Sequence, residues 1–213
     1  MGNRHDYLPA AGRDALLPGY DLLTRLLGMY KLHETLVAQA ELAPDQRVLE
    51  IGCGTGNLTI RAKRTQPAAE VIGSDPDPLA LARAERKAHG LNGIRFERGY
   101  AQDLPYPDEE FDVVLSSMML HHLETDIKTA ALAEALRVLR PGGRLHILDV
   151  GGEVTPDDGP MARFLLHNHH AKDNLGDGIP QLLRTVGFDC TVVASQRHRR
   201  LGRVTFYRGT RRN

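Results

Sequence analysis

Val48-Leu49-Glu50-Ile51-Gly52-Cys53-Gly54-Thr55-Gly56 is a short apolar run that ends in three alternating glycines, and a helical pattern from Asn57 to Arg64 follows it. The stretch reads as a buried strand, a tight turn and a helix. Glycine has no Cβ to collide with a ligand, so the amides of such a turn can approach one closely. A bare strand-to-helix connection without a ligand is the plain alternative. Two phosphate-binding uses do not fit. A dinucleotide fingerprint needs Gly-x-Gly-x-x-Gly, and Asn57 stands where its third glycine belongs. No Gly-Lys-Ser or Gly-Lys-Thr follows, which excludes a Walker A loop. Glu50, just ahead of the glycines, brings a carboxylate to the same crevice, which suits a cationic group such as an amino acid or a sulfonium better than a phosphate.

Outward from this turn, short apolar runs alternate with helical stretches, as in a parallel α/β sheet covered on both faces. Strands are expected at Val48 to Ile51, Glu70 to Gly73, Ile94 to Glu97, Val113 to Ser116 and Leu145 to Asp149. Helices fall near Asn57 to Arg64, Pro78 to His89 and Thr125 to Leu139, the last stopped by Arg140-Pro141-Gly142-Gly143. Before the sheet, Leu22, Leu23, Leu26 and Leu27 and then Leu32, Leu36, Val37 and Ala40 mark two helical faces. After it, Gly151 to Gly178 is polar and rich in Pro, Gly and His, with a short helix expected around Met161 to His170. That length suggests an insertion over a site. A helix opened by Ile179-Pro180 and closed by Gly187 leads to a hairpin of Cys190 to Ser195 and Val204 to Arg208.

The chain has 213 residues, 41% hydrophobic and 25% charged, which suits one folded domain and excludes wholesale disorder. Twenty-seven basic residues balance 27 acidic ones, so no global field draws it to nucleic acid or an anionic membrane. The arginines of Arg197-His198-Arg199-Arg200, Arg203 and Arg211-Arg212 read as a solvated hairpin rather than an RNA surface. Two cysteines, Cys53 and Cys190, cannot make a disulfide framework, and no signal-peptide core or membrane-length apolar run is seen. A cytoplasmic protein without membrane insertion is expected.

Gly73-Ser74-Asp75-Pro76 places an acid at the carboxyl end of the second strand, where open α/β sheets hold their ligands and where a carboxylate accepts from ribose hydroxyls. Asp75 could also start the following helix. Val-Leu-Glu-Ile-Gly-Cys-Gly-Thr-Gly, then Ile72-Gly73-Ser74-Asp75, Ala101-Gln102-Asp103-Leu104-Pro105-Tyr106, Phe111-Asp112-Val113-Val114 and Leu139-Arg140-Pro141-Gly142-Gly143 together resemble class I S-adenosylmethionine-dependent methyltransferases of the type 11 kind. A shorter likeness, Tyr20-Asp21-Leu22-Leu23 and His33, is to ubiquinone/menaquinone-type C-methyltransferases.

The resemblance implies a Rossmann-like α/β fold: a seven-stranded, mostly parallel sheet with the last strand antiparallel, helices on both faces and a helical N-terminal cover. Residues 1–45 would be the cover, 46–150 the cofactor-binding core, 151–178 a lid-like insertion and 179–213 the final helix and hairpin, all in one domain. The cofactor would be S-adenosyl-L-methionine, leaving as S-adenosyl-L-homocysteine. Glu50, Gly52, Cys53 and Gly54 would surround its methionine part, Asp75 its ribose, and Pro76, Ala101 and Gln102 its adenine, with Ser116 near the methionine end. Tyr100 departs from the pattern, since many relatives carry an aspartate there to accept from the adenine amino group.

Methyl transfer needs an acceptor held in line with the S–CH3 bond, so catalytic groups can be few. Ser116-Ser117-Met118-Met119 replaces the Asn/Asp-Pro-Pro-Tyr/Phe turn of enzymes acting on planar nitrogens, which favours another small organic acceptor. His121, His122 and Tyr20 are the catalytic candidates, a histidine being able to take a proton from a phenol, enol or carbon acid near neutral pH. The plain alternative has His122 packed against backbone and His121 facing out. Tyr7 and Tyr30 could complete the pocket. His167, His169 and His170, with Asp173 nearby, lack a convincing third ligand, so no metal is expected and the segment reads as a lid. A protein or RNA methyltransferase and a non-catalytic cofactor-binding protein remain alternatives, and a homodimer is left open.

Overall fold

The computed structural model describes residues 24, 26–159, 162, 166–167 and 174–213. Helix α1 (Met29–Ala40) leads to β1 (Arg47–Ile51), α2 (Asn57–Thr65), β2 (Glu70–Asp75), α3 (Pro78–Ala88), β3 (Ile94–Arg98) and β4 (Phe111–Ser117). A 3-10 turn (Leu120–His122), α4 (Thr125–Val138), β5 (Leu139–Val150) and a second 3-10 turn (Pro156–Asp158) come next, then α5 (Gly178–Val186), β6 (Phe188–His198) and β7 (Gly202–Arg211). The strands form one seven-stranded sheet in the order β3-β2-β1-β4-β5-β7-β6. β1 to β5 pair in parallel, whereas β7 runs antiparallel to both β5 and β6. The mostly parallel sheet with an antiparallel last strand is therefore the fold.

Strand order reverses beside β1: the chain first builds outward through β2 and β3, then returns to lay β4 on the other side of β1. Loops leaving β1 and β4 thus part above the sheet and open a crevice at the carboxyl ends of the strands. The inner strands β1, β2, β4, β5 and β7 are buried along most of their length, which explains their apolar runs, whereas the edge strands β3 and β6 are largely half-buried or exposed. Leu36 of α1 and Leu58 of α2 pack with Val48, Val71, Val113 and Leu148 on one side. Leu132 of α4 and Leu183 of α5 pack with Leu49, Ile72, Val114 and Ile147 on the other. Each such fully buried side chain contributes about 1.5–3 kcal/mol of transfer free energy.

Element boundaries differ where apolar pattern is not what holds the chain. α4 stops at Val138, and Leu139 goes directly into β5 opposite Phe111. The expected Pro-Gly stop is drawn into the strand as an irregularity before pairing resumes at Val113 and Arg144, with Gly142 at φ +75°. β6 and β7 run past their expected ends because polar pairs such as Arg197 and Arg203 extend the ladder. Leu22 and Leu23 of the first expected helix and most of Met161 to His170 lie outside the described residues. Among the described residues, no helix is long and apolar enough to cross a membrane.

Candidate cofactor and methyl-acceptor site

The turn after β1 has Gly52, Gly54 and Gly56 all at positive φ (72°, 51° and 75°), a backbone only glycine adopts without strain. Gly56 has a packing reason as well: a Cβ there would lie 2.7 Å from the Ala84 Cβ and 2.7 Å from the Phe96 ring. The turn is lashed to β2, since the Gly52 and Cys53 amides both donate to the Ser74 carbonyl (2.9 and 3.0 Å). One Asp75 carboxylate oxygen accepts from Gly54 N–H at 2.7 Å and the other from Asp77 N–H at 2.9 Å. Burial, opposed by these two amides, leaves the Asp75 pKa above the usual carboxylate value.

Asp77, not Asp75, caps α3: its Oδ1 accepts from Leu79 N–H (2.9 Å) and Ala80 N–H (3.2 Å), with Pro78 in the first turn. Asp75 is thereby freed from the helix-starting role. A carboxylate offers about four lone-pair directions. Two are used by Gly54 and Asp77, which leaves capacity for a vicinal diol.

Glu50 is buried at 2% exposure and accepts from the Thr59 hydroxyl of α2. Burial raises its pKa from 4.5 to about 8, the Thr59 bond working against the rise. A cation laid beside it would favour the carboxylate form. Cys53 is buried, and burial followed by the charges of Glu50 and Asp75 pushes its thiol pKa up, which makes it an inert member of the turn. Lys87 of α3 donates to Asn57 Oδ1 (2.7 Å) and Thr55 Oγ1 (3.1 Å), bracing the turn from outside.

Beyond β3, Arg98 Nε donates to the Pro76 carbonyl (3.2 Å), and Arg98 Nη2 lies 3.4 Å from the Tyr100 hydroxyl. The expected residues Pro76 and Tyr100 therefore meet at one corner through an arginine that sequence reasoning passed over. Ala101 packs partly against the core and Gln102 is exposed. Near the end of β4, Ser116 is buried with a hydroxyl that has no hydrogen-bond partner among the described residues. Met119 lies across Gly52, its Cγ 2.6 Å from where a Cβ would be.

His121 Nδ1 lies 2.6 Å from Asp149 Oδ1, and the Asp149 side chain is fully buried. Asp149 is the next-to-last residue of β5, where it also accepts from Leu120 N–H (2.8 Å) and Val150 N–H (2.7 Å). A carboxylate only accepts, so Nδ1 carries the hydrogen and Nε2 is left as the proton acceptor. His122 is exposed, its ring centroid 3.9 Å from that of His121. The surrounding protein and then the neighbouring imidazole push the His122 pKa down. This reverses the alternative in which His122 packs and His121 faces out. Asp149 was missed in sequence, although the rule that singled out Asp75, an acid at the carboxyl end of a strand, applies to it equally.

His33 on α1 bonds the Ser117 hydroxyl at 3.1 Å, tying the helix to the end of β4; burial, then Arg61, lowers its pKa to about 4. Tyr30 is 59% exposed, with the Arg61 guanidinium 3.6 Å from its ring centroid, so it is not enclosed in a pocket. Tyr7, Tyr20, His169, His170 and Asp173 lie outside the described residues, and His167 is exposed. Among the described residues, no three His, Cys, Asp or Glu side chains group as a metal site. The hairpin arginines have local partners: Arg197 and Arg203 reach Asp158 (3.6 and 3.2 Å), Arg211 reaches Glu109 (2.7 Å) and Arg212 reaches Asp189 (2.9 Å).

A family model described as a methyltransferase domain matches residues 48–143. The chain is 40% identical over 167 residues to a demethylmenaquinone methyltransferase of Deinococcus radiodurans, covering 76% of this chain and 67% of that one. It is 39% identical over 139 residues to a demethylmenaquinone methyltransferase of Thermus thermophilus, covering 63% of this chain and 62% of the relative, short of two thirds of its length. Among solved structures, the YcgJ protein of Bacillus subtilis aligns with a TM-score of 0.69 at 19% identity, over 85% of this chain and 98% of that one. A methyltransferase of Aquifex aeolicus aligns with a TM-score of 0.65 at 18% identity, over 84% and 88%. At such identities the structural likeness speaks for the fold.

Proposed function

This chain belongs to the S-adenosylmethionine-dependent methyltransferases, and we propose that it methylates a small quinol-type acceptor with His121 as the base. The observation that carries the role of His121 is its 2.6 Å bond to the buried Asp149, at the same sheet edge as the glycine turn. The quinol class comes from the two demethylmenaquinone methyltransferases to which the chain is similar.

The crevice suits S-adenosylmethionine. Spare lone pairs on Asp75 match the ribose diol, Glu50 matches the positive methionine end, and the Gly52 to Gly54 backbone lies between them. Cys53 stays buried in the turn, Pro76, Tyr100, Ala101 and Gln102 form the adenine end, and Ser116 lies toward the methionine end. When bound, the cofactor supplies an electrophilic methyl group on a sulfonium.

His121 Nε2 takes the proton of a phenolic hydroxyl, which raises electron density at the ring carbon that attacks. The methyl would pass to that carbon as the S–CH3 bond breaks with its electron pair left on sulfur, and the ring C–H proton is then lost to solvent as the ring regains its aromaticity. Asp149 fixes the imidazole tautomer and stabilises the imidazolium once it forms, so it acts as a positioning residue. General-base assistance of this kind contributes about 10²–10⁴-fold to rate. Direct displacement needs no covalent enzyme intermediate, and enclosure of the acceptor keeps water from competing. Within a single domain, α1, tied to the end of β4 by the His33–Ser117 bond, is assigned that covering role. His122, exposed beside His121, relays the proton to solvent. A cytoplasmic location is part of the same proposal.

The test is incubation of purified protein with methyl-labelled cofactor and a reduced demethylmenaquinone of short side chain. Label is expected in the extracted quinone. Label found in protein or RNA instead would replace this reading with a macromolecular methyltransferase.

A further inference from the structure

Arg61 stands on the second turn of α2, the helix that leaves the glycine turn, two residues after the Thr59 that bonds Glu50. Helical side chains lean toward the helix N-terminus. The Arg61 side chain therefore extends back toward the carboxyl edge of the sheet, where the glycine turn lies. Its guanidinium carbon lies over the Tyr30 ring of α1, 3.6 Å from the centroid. One turn on from Tyr30, His33 bonds the Ser117 hydroxyl at 3.1 Å. Ser116 is opposite Ile51 in the sheet register, so Ser117 stands level with Gly52. Arg61, Tyr30, His33 and Ser117 thus join α2, α1 and the end of β4 beside the first glycine of the turn.

Among the described residues, Arg61 has no hydrogen bond and no ion pair, so its N–H donors are uncommitted. Stacking on Tyr30 occupies one face of the guanidinium and leaves its edge, which carries the donors, free for a ligand. Nearby cations are engaged: Lys87 donates to Asn57 and Thr55, and Lys63 to the Pro67 and Ala69 carbonyls. His33 is no rival for an anion, because burial, then the Arg61 charge, lowers its pKa to about 4 and leaves it neutral.

On the cofactor reading above, on which this inference rests, the ligand beside Gly52 ends in an amino acid that carries an ammonium and a carboxylate. The buried carboxyl groups of Glu50 and Asp75 suit the positive charge, which leaves the carboxylate in need of a cation. We propose that Arg61, set by the Tyr30 ring, pairs with the α-carboxylate of the cofactor's methionine part. A guanidinium takes a carboxylate through two parallel N–H bonds. Stacked in place beforehand, it loses less side-chain freedom on binding than a loose arginine would. The first amides of α2 are the competing partner for the same carboxylate.

The experiment is calorimetric titration of the whole chain with S-adenosylhomocysteine and with its decarboxylated counterpart, which keeps the nucleoside, the thioether and the amine. Wild type is expected to bind S-adenosylhomocysteine more tightly than the counterpart by tenfold or more. Arg61→Gln should weaken S-adenosylhomocysteine by tenfold or more and leave the counterpart within threefold, or tighter, since a like charge is gone. Arg61→Lys, which keeps the charge, should lose less than Arg61→Gln. Equal weakening of both ligands would mark a packing role for Arg61, and unchanged affinity for S-adenosylhomocysteine would give the carboxylate to the α2 amides. Either result, or equal affinity of wild type for the two ligands, would overturn the proposal while leaving the cofactor assignment intact. Failure of both ligands to bind folded wild-type protein would overturn the cofactor assignment, and this inference with it.

Discussion

The two halves of the crevice are built by different means. At the β1–β2 end, amides of consecutive loops donate into one carboxylate and one carbonyl, and Asp75 is gripped from both sides. At the β4–β5 end, a single imidazole–carboxylate pair stands on a 3-10 turn three residues long, near a buried Ser116 hydroxyl with no partner among the described residues. The first half is set before anything binds, whereas the second concentrates its chemistry in one side chain. Affinity for cofactor and rate of transfer should therefore come apart under mutation.

The largest expected effect breaks the second half alone. His121→Ala should lower kcat by about 10²–10⁴-fold and leave the dissociation constant of S-adenosylhomocysteine unchanged by calorimetry. Asp149→Asn should show a smaller loss in the same direction, again with cofactor affinity unchanged by calorimetry. Equal losses in affinity and rate would mean the two halves are one unit. Asp75→Ala is the complementary break. Losing hydrogen bonds to a charged acceptor costs roughly 1.5–3 kcal/mol, which is about 10- to 100-fold in cofactor affinity, with Asp75→Asn falling between.

Gly56→Ala and Gly90→Ala form a matched pair, both at positive φ (75° and 85°). A Cβ at Gly90 meets nothing within 4 Å, whereas at Gly56 it strikes Ala84 and Phe96. The difference in melting temperature isolates overpacking from backbone strain; overpacking costs about 1–3 kcal/mol, and each 1 kcal/mol moves Tm by roughly 2–4 °C in a chain of this size.

The smallest effect sharpens the electrostatics of the first half. Glu50 keeps in the folded state, up to about pH 8, a proton that the unfolded chain gives up near 4.5. Its contribution to stability is thus complete below pH 4.5 and is lost as pH rises toward 8. Glu50→Gln removes that titration, so its Tm relative to the parent should rise between pH 5 and pH 8. A pH-independent difference would show that Glu50 is ionised throughout.

Much of the first half was legible because its residues answer to local rules. Three glycines are required by backbone φ, Asp75 follows its strand, and all of it lies within residues 48–76. What the sequence left ambiguous, Asp75 against Asp77 as the cap, is a choice of two residues that only the α3 amides decide. The second half joins residues 28 positions apart, His121 and Asp149, and no short-range pattern records that pairing. Arg98 was passed over for a related reason: on an edge strand, an arginine reads as a solvated charge until the Pro76 carbonyl beside it is known.

The position of β7 between β5 and β6 bears on the order in which the molecule can be completed. β6 precedes β7 in the chain and touches no other strand, so it joins the sheet only when β7 has been threaded in beside it. β1, β2 and β3, by contrast, need only their neighbours in sequence. Strand pairings across long loops form late because the loop-closure entropy comes before the contacts that offset it. In β7, Thr205 opposite Asp149 and Val204 opposite Val150 back the strand that carries Asp149. Pairing of β1 to β3 before β5 and β7 is the expected kinetic counterpart of that topology. Hydrogen exchange would find it as protection of β1 to β3 ahead of β5 and β7.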